Sequence, residues 1–260
     1  MKQVAVCNGI NKYPDPRNML RGCITDAMGF TKYFREKKKI TDITTLVNEE
    51  VTKKRMIQVL LSGIAKCDSG DHFIWTSSSH GTYIPDRSSD EVDGRDEAIC
   101  LYDGNLLDDD IRAILDTAKP GVNITIISDS CFSGTVTRAS VADIDNLIYK
   151  KPRFIMPKDA TIHKYPVRKR LVRGSISEEQ MKEILISGCS DTQFSADACI
   201  NGVYCGALSY FMLQILNNAT IDLTYNQFYK ALRSYLPTGE YEQIPQLEGS
   251  SLNKERIMFS

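Results

Sequence analysis

The sequence predicts an α/β fold in which a mostly parallel central sheet lies between two layers of helices. Two observations predict it. Short apolar runs, many of them β-branched, alternate with longer segments of helical periodicity. Strands that alternate with helices form parallel sheets covered on both faces. With 260 residues and 42% hydrophobic content, the chain can form one large core. We therefore expect a single three-layer α/β/α sandwich.

The periodicity also fixes the order of the elements. Strands are predicted at residues 3–10, 43–47, 71–77, 122–128, 183–187 and 245–247, with a small hairpin arm at 98–102. Helices are predicted at residues 26–37, 52–67, 108–118, 205–217 and 226–235. The long stretch that precedes residue 183 is predicted to be irregular.

Composition excludes several classes of protein. The net charge of −1 gives no general reason to expect nucleic acid or an acidic membrane as partner. The 8 cysteines are scattered without a CxxC pair, which argues against a disulfide framework or a metal–thiolate site. The sequence contains neither the pattern of a signal peptide nor a run of about twenty apolar residues. These features predict a cytoplasmic protein without a membrane partner.

Two short segments carry the residues that predict chemistry. Each follows an apolar run, and they contain His80 and Cys131. A cysteine nucleophile needs an imidazole nearby, because its thiol is mostly protonated at neutral pH. Of the other two histidines, His72 begins an apolar run and His163 lies in a basic stretch. The alternative, a buried inert thiol beside a turn histidine, would explain either residue alone but explains their shared context less well.

Both residues follow the carboxyl end of a predicted strand. In parallel sheets the ligand site lies beyond that edge, so adjacent strands would bring His80 and Cys131 together. The backbone amides of Gly81 and Cys131 could then form an oxyanion hole. This arrangement predicts acyl transfer, in which Cys131 attacks a carbonyl carbon and His80 protonates the leaving amine.

Five ordered blocks of sequence resemble the metacaspase-type members of the caspase-like cysteine peptidases. They are the dyad, for which the two segments above count as one block, and residues 4–11, 20–27, 93–99 and 186–198. The resemblance implies a caspase-hemoglobinase fold in one domain, with a large catalytic region (1–137), a basic linker (138–182) and a small-subunit-like region (183–260). It also implies a monomer, and an imidazole oriented by a backbone carbonyl. Two positions depart from the family: Ser79 replaces a glycine and Phe132 replaces a histidine.

The resemblance further implies protein or peptide substrates that are cut after Arg or Lys. The family's pocket residues match Cys23, Asp26, Ser78 and Asp129, and two carboxylates would suit a guanidinium or ammonium group. Both carboxylates also have simpler explanations. Asp26 could cap the helix predicted to begin beside it, and Asp129 could bond its own backbone in a turn.

Calcium is the one cofactor that the sequence suggests, and only as an activator. The family's metal ligands match Asp93 or Asp96 together with Asp108 and Asp109. Carboxylate oxygens suit calcium. However, acidic residues at a helix start also cap free amides, and Arg138 stands near the place of a further acidic ligand. The sequence leaves these two interpretations open.

The segment from residue 138 to 173 is rich in lysine and arginine. It could be a solvated loop or a nucleic-acid patch, although no aromatic stacking platform accompanies it. It could also hold self-processing sites of a zymogen that cuts after basic residues. The alternative function is a catalytically weak caspase-like scaffold that binds protein or nucleic acid through this segment.

Overall fold

A computed structural model describes residues 1–85, 95–130, 150–156, 177–189 and 195–260. The strands within these ranges are β1 (Gln3–Gly9), β2 (Asp42–Val47), β3 (His72–Ser78), β4 (Gly81–Pro85), β5 (Arg95–Cys100), β6 (Asn105–Leu107), β7 (Asn123–Asp129), β8 (Lys150–Pro152), β9 (Glu183–Ser187), β10 (Ala196–Ile200), β11 (Val203–Gly206) and β12 (Gln246–Glu248). The α-helices are α1 (Cys23–Glu36), α2 (Lys53–Ala65), α3 (Asp108–Leu115), α4 (Ala207–Asn218), α5 (Tyr225–Leu232) and α6 (Ser251–Lys254).

The central sheet has six strands in the order β12-β9-β7-β3-β1-β2. All neighbouring strands are parallel except β12, which pairs antiparallel with β9. The carboxyl ends of β1, β3, β7 and β9 therefore meet at one edge. Because β1 is flanked by β2 on one side and β3 on the other, the chain reverses its winding direction there, and such a point is where open parallel sheets bind ligands.

Side chains that alternate along the strands build two cores. On one face, Val4 and Phe73 pack with Met56 of α2 and Ile111 of α3. On the other face, the next residues along β1 and β3 pack with α1, α4 and α5; Ile74, Phe30 and Met212 are examples. This alternation is what the pleat of a strand requires when both faces are covered. The predicted three-layer sandwich is confirmed.

Two small antiparallel sheets, β4-β5-β6 and β11-β10-β8, complete the described fold. The sequence predicts only part of them. The expected hairpin arm at 98–102 is a larger sheet, and β10 and β11 were not predicted. The stretch before residue 183 is not irregular throughout, because Lys150–Pro152 pairs with β10. These strands are short, and β8 pairs with β10 more than forty residues away, so local periodicity carries little signal for them.

Among the described residues, the helices are all too short or too polar to cross a membrane.

Candidate active site

The ends of β3 and β7 lie side by side. Ser78 pairs with Asp129 in parallel register, and each is the last residue of its strand. Beyond them, the hydroxyls of Ser79 and Ser130 are 3.2 Å apart. The expected adjacency of the two motifs is therefore present up to Ser130. Cys131, the predicted nucleophile, lies outside the described residues.

His80 is buried with only 1% of its surface exposed. Its Nε2 is 2.8 Å from the carbonyl oxygen of Asn18. Because a carbonyl can only accept, Nε2 carries the proton and the neutral ring keeps its lone pair on Nδ1. Nδ1 has no hydrogen-bond partner among the described residues. Nδ1 is therefore the nitrogen that can exchange a proton with a nucleophile.

The surroundings of His80 hold the ring in place and keep it neutral. The hydroxyl of Tyr13 accepts the backbone N–H of His80 at 2.9 Å, and the two rings lie 5.2 Å apart. The pKa of His80 is lowered to about 4, mainly by burial and also by nearby Lys151 and Arg153, although the bond to Asn18 acts in the opposite direction. A general base must be neutral to accept a proton. The imidazole described here meets that condition at neutral pH.

The loop that presents the Asn18 carbonyl is itself tied down. A short 3-10 turn, Pro16–Asn18, begins after Asp15, whose side chain accepts the backbone N–H of Arg17. On the other side, Lys151 Nζ donates to the carbonyls of Arg17 and Met19 at 2.8 and 2.7 Å. The position of Asn18 therefore depends on the segment around β8.

Asp26 is buried at the same edge and does not cap a helix. Helix α1 begins three residues earlier than predicted, at Cys23, with Gly22 at the capping position and no side-chain cap. The Asp26 carboxylate instead accepts Ser78 Oγ at 2.6 Å and the Gly206 amide at 2.9 Å. The capping interpretation is wrong, because the helix start is displaced and leaves Asp26 facing the site.

Asp129 also faces the site rather than its own turn. Its carboxylate accepts the hydroxyl of Ser195, and the amide and hydroxyl of Ser209 at 2.9 and 2.7 Å. Ser209 lies in the first turn of α4, where free amides favour a negative charge. The turn interpretation is therefore wrong.

A third carboxylate, Asp197 of β10, completes the cluster and was missed by the sequence analysis. Asp197 accepts the amides of Arg21 and Gly22 at 2.8 and 2.9 Å, which joins β10 to the start of α1. It belongs to the block 186–198, and Ala196 and Ala198 on either side of it point into the apolar core. The only available signal was an acidic residue alternating with buried alanines in a short strand.

The three carboxylates surround one guanidinium, that of Arg153, which is fully buried. Nη2 of Arg153 donates to Asp26 at 2.8 Å and to Asp197 at 3.0 Å. Nη1 donates to Ser78 Oγ at 2.7 Å and lies 3.4 Å from Asp129 Oδ2. Arg153 belongs to the lysine- and arginine-rich segment for which a solvated loop was one interpretation, and its burial contradicts that interpretation at this residue. A buried carboxylate cluster needs a cation, and Arg153 supplies it.

The electrostatics of the pocket follow from three negative groups facing one positive group. The pKa of Asp26 is raised to about 6, mainly by burial and also by nearby Asp129, although Arg153 acts in the opposite direction. Burial lowers the pKa of Arg153, but the three surrounding carboxylates outweigh that effect and hold the pKa well above its usual value. The pocket is therefore built for a cation with several donors.

Cys23 and Ser78 are the other two residues predicted to line the specificity pocket. Ser78 bridges Asp26 and Arg153, as described above. Cys23 is fully buried, and burial raises the pKa of its thiol. A thiol with a raised pKa is unreactive, so Cys23 contributes shape rather than chemistry.

Gly81 presents its amide to the site. Its N–H donates to the carbonyl oxygen of Arg153 at 2.9 Å. The amide predicted for the oxyanion hole is thus directed at a carbonyl within the described residues. The second predicted donor, the Cys131 amide, lies outside them.

The predicted metal ligands are only partly described. Asp96 is on β5, and Asp108 and Asp109 begin α3. Ala98 of β5 pairs with Leu107, the residue before α3, and Asp96 lies two residues before Ala98 on the same strand. In the described part of the chain, no group of three or more His, Cys, Asp or Glu side chains could hold a metal ion. Asp93 lies outside that part, and the described residues alone do not form a calcium site.

Comparison with known proteins agrees with this geometry. The model of the caspase domain matches residues 2–257. The chain is 28% identical over 99% of its length to Metacaspase-1 of Scheffersomyces stipitis, of which the match covers 73%. It is 29% identical over 99% of its length to Metacaspase-1B of Aspergillus oryzae, of which 70% is covered.

A solved structure supports the same assignment. A crystal structure of a protein from Geobacter sulfurreducens superposes with a TM-score of 0.75 at 27% identity, covering 100% of this chain and 99% of that one. The family match spans the sheet, both helical layers and the edge that carries His80 and the acidic pocket. The chain therefore belongs to the caspase-domain family of cysteine peptidases and is similar to its metacaspase members.

Proposed function

We propose that this protein is a cysteine endopeptidase that hydrolyses peptide bonds after Arg or Lys through His80 and Cys131. The observation that carries the specificity is the acidic pocket: Asp26, Asp129 and Asp197 surround a guanidinium beside His80 and the Gly81 amide. A neutral or acidic side chain in that place would leave buried carboxylates without a counter-charge, which is costly.

The contacts of Arg153 also indicate which substrate side chain, Arg or Lys, fits the pocket better. A guanidinium reaches Asp26 and Asp197 through Nη2 and Ser78 through Nη1. An ammonium has a single nitrogen and cannot reach all three oxygens with the same geometry. We expect both residues to be accepted, with Arg preferred over Lys.

The mechanism assigns one task to each group. Nε2 of His80 donates to Asn18, so Nδ1 removes the proton of the Cys131 thiol. The thiolate attacks the carbonyl carbon, and the Gly81 amide stabilises the negative oxygen. His80 then protonates the leaving amine, and water hydrolyses the thioester with His80 as base.

The test is hydrolysis of fluorogenic peptides that end in Arg, Lys or Asp, by the purified protein and by Cys131→Ala. We expect turnover of the Arg and Lys peptides by the wild type and at least a 1000-fold loss in Cys131→Ala, since the nucleophile is absent; losses of about that size or more follow removal of a catalytic nucleophile. Turnover that survives the substitution, or a preference for Asp, would contradict the proposal.

We further propose that calcium stimulates this activity through Asp93, Asp96, Asp108 and Asp109. The support is that Asp96 lies on β5 two residues before Ala98, which pairs with the residue that precedes α3, together with the preference of calcium for several carboxylate oxygens. The described residues would supply only part of the ligand set. Titration of calcium into the peptide assay, with Asp109→Asn as the variant and magnesium as the control ion, tests it. Equal rates with and without calcium would refute it.

A further inference from the structure

Strand β2 forms one edge of the central sheet. In the described part of the chain it pairs only with β1, in parallel register from Val4 with Asp42 to Gly9 with Val47. The outer side of an edge strand carries unpaired N–H and C=O groups that can accept a further strand. Prolines and charged side chains usually protect such an edge, but the 6 residues of β2 include no proline and only one charge, that of Asp42. The strand is therefore a template to which another can be added.

A groove of about 430 Å³ lies between this edge and helix α2. Its sheet side is lined by Val4, Val6 and Thr44. Its helix side is lined by residues spaced three or four positions apart on one face of α2, from Arg55 to Lys66. These eleven steps along a helix span roughly 16 Å. An extended chain covers that distance in about five residues, close to the length of β2 itself.

The groove is positively charged at both ends. Its lining includes Lys54, Arg55 and Lys66 and no acidic residue. Lys54 and Arg55 are exposed, and neither forms an ion pair with another described residue. Lys66 lies at the other end, where its Nζ is 2.9 Å from the carboxylate of Asp42 at the start of β2. Acidic side chains on an added strand would therefore meet a cation at each end of the groove.

A second copy of the chain fits this surface poorly. Two copies joined through β2 in a symmetric pair would present the same surface to each other. Antiparallel pairing of the two strands would keep both α2 helices on the same face of the joined sheet. The cationic grooves of the two copies would then lie side by side, and like charges across an interface are unfavourable. The charge of the groove thus favours a partner that is acidic.

We propose that the groove beside β2 binds an extended acidic segment of a partner protein, which adds to β2 as a seventh strand of the central sheet. In such recognition the main-chain hydrogen bonds give affinity and alternate side chains give specificity. Side chains four residues apart lie on the same face of an extended chain and about 13 Å from each other. Acidic residues at that spacing would approach Arg55 and Lys66 together.

This surface is separate from the candidate active site. His80 lies beyond the carboxyl end of β3, and β1 stands between β3 and β2. The groove is lined by residues of β1, β2 and α2 and by Thr52, none of which belongs to the acidic pocket. The inference therefore does not depend on the proposed function.

The first experiment titrates the full chain into a labelled ten-residue peptide in which glutamate alternates with valine, and measures fluorescence anisotropy. We expect saturable binding that weakens as salt is added, because the charges are exposed to solvent. A peptide with the same glutamates but two valines replaced by proline should bind at least about 10-fold more weakly, since proline cannot donate to β2. Equal binding of the proline peptide, or of a peptide with lysine in place of glutamate, would overturn the proposal.

A pair of charge reversals tests the cations of the groove. Arg55→Glu should weaken binding of the glutamate–valine peptide by about 5-fold, because an attraction between exposed charges becomes a repulsion. Lys230→Glu is the matched control: Lys230 is exposed on α5, which packs against the opposite face of the sheet, and binding should stay within about 2-fold of wild type. Equal losses in the two variants, or tighter binding of a thymidine decanucleotide than of the peptide, would overturn the proposal.

Hydrogen exchange on the wild-type chain locates the bound peptide without any substitution. Addition of the glutamate–valine peptide should slow exchange of backbone amides within Asp42–Val47, because N–H groups on the open side of β2 gain acceptors. Protection confined to the ends of β3 and β7, or no change within β2, would overturn the proposal. A chain that binds the peptide at β2 but hydrolyses no Arg or Lys peptide would contradict the proposed function and support this inference.

Discussion

The two ends of β3 carry two histidines that resemble each other closely and differ in one respect. His72 begins the strand and His80 follows its end, and each is 1% exposed. Burial lowers the pKa of both to about 4. His72 uses both ring nitrogens, with Nδ1 3.0 Å from the Ser260 carbonyl and Nε2 2.8 Å from Thr125 Oγ1. His80 uses only Nε2, and its Nδ1 has no partner among the described residues.

The same contrast holds for the buried charges at the two edges of the sheet. At the amino edge, Glu183 of β9 forms a matched pair with Arg112, with bonds of 2.6 and 3.2 Å. At the carboxyl edge, three carboxylates share the one guanidinium of Arg153. Buried charged groups and a histidine with a lowered pKa are therefore common to both edges. The carboxyl edge differs from the amino edge in two ways. The Nδ1 of His80 has no hydrogen-bond partner among the described residues, and three carboxylates face a single guanidinium.

The largest expected effect comes from His80. His80→Gln should lower turnover of Arg peptides by about 100- to 10,000-fold, the usual contribution of a general acid–base group. His72→Gln is the matched control, and it should keep turnover within about 3-fold while losing roughly 1 to 3 kcal/mol of stability to unpaired partners. The measurements are kcat/KM and urea unfolding. Equal losses of activity in the two variants would contradict the assignment of a catalytic role to His80 and a structural role to His72.

The second effect concerns the carboxylates. Asp26→Asn or Asp197→Asn should lower kcat/KM for Arg peptides by roughly 10- to 150-fold, which corresponds to about 1.5 to 3 kcal/mol for a bond to a charged group. Glu183→Gln, at the opposite edge, should destabilise the fold but leave the ratio of Arg to Asp peptide turnover unchanged. A changed ratio in Glu183→Gln would argue against a specificity pocket confined to one edge.

The third effect is a pH dependence that belongs to Asp26. Its pKa of about 6 means that a cation in the pocket gains the full charge of this carboxylate only above that pH. Arg peptide kcat/KM should therefore fall by about 10-fold from pH 7 to pH 5 through Asp26, because about one carboxyl in ten stays ionised one unit below the pKa. Asp26→Asn should remove this part of the profile. An identical acid limb in the variant would contradict the assignment.

The fourth effect is on stability rather than on activity, and it belongs to His72. Its folded pKa of about 4 lies below its usual value of 6.5, so the unfolded chain takes up a proton first as the pH falls. The contribution of neutral His72 is thus complete above pH 6.5 and is lost between pH 6.5 and 4, by about 3 kcal/mol. His80 should add a similar loss, and His72→Gln should remove only its own share. Urea unfolding at pH 7 and pH 4.5 measures it, and an unchanged pH dependence in the variant would contradict it.

Much of the functional edge was predictable from sequence, because its parts lie at strand ends. His80, Ser78 and Asp129 follow apolar runs, and the rule for parallel sheets places them together. Arg153 and Asp197 were not predictable in this way. Arg153 lies in a segment whose composition resembles a solvated loop, and its burial depends on pairing with β10, more than forty positions away. Local patterns do not encode such a pairing. The ring nitrogen contacts that distinguish His80 from His72 also exist only in three dimensions.

The most direct measurement compares two peptides that differ only in charge. One ends in arginine and the other in citrulline, which has nearly the same shape but no positive charge, and each carries the same fluorogenic leaving group. With an acidic pocket beside His80, kcat/KM should be at least about 100-fold higher for arginine, the effect of leaving buried carboxylates without a cation. Equal kcat/KM values for the two peptides would contradict this prediction, since the pocket would then not discriminate between charged and neutral side chains.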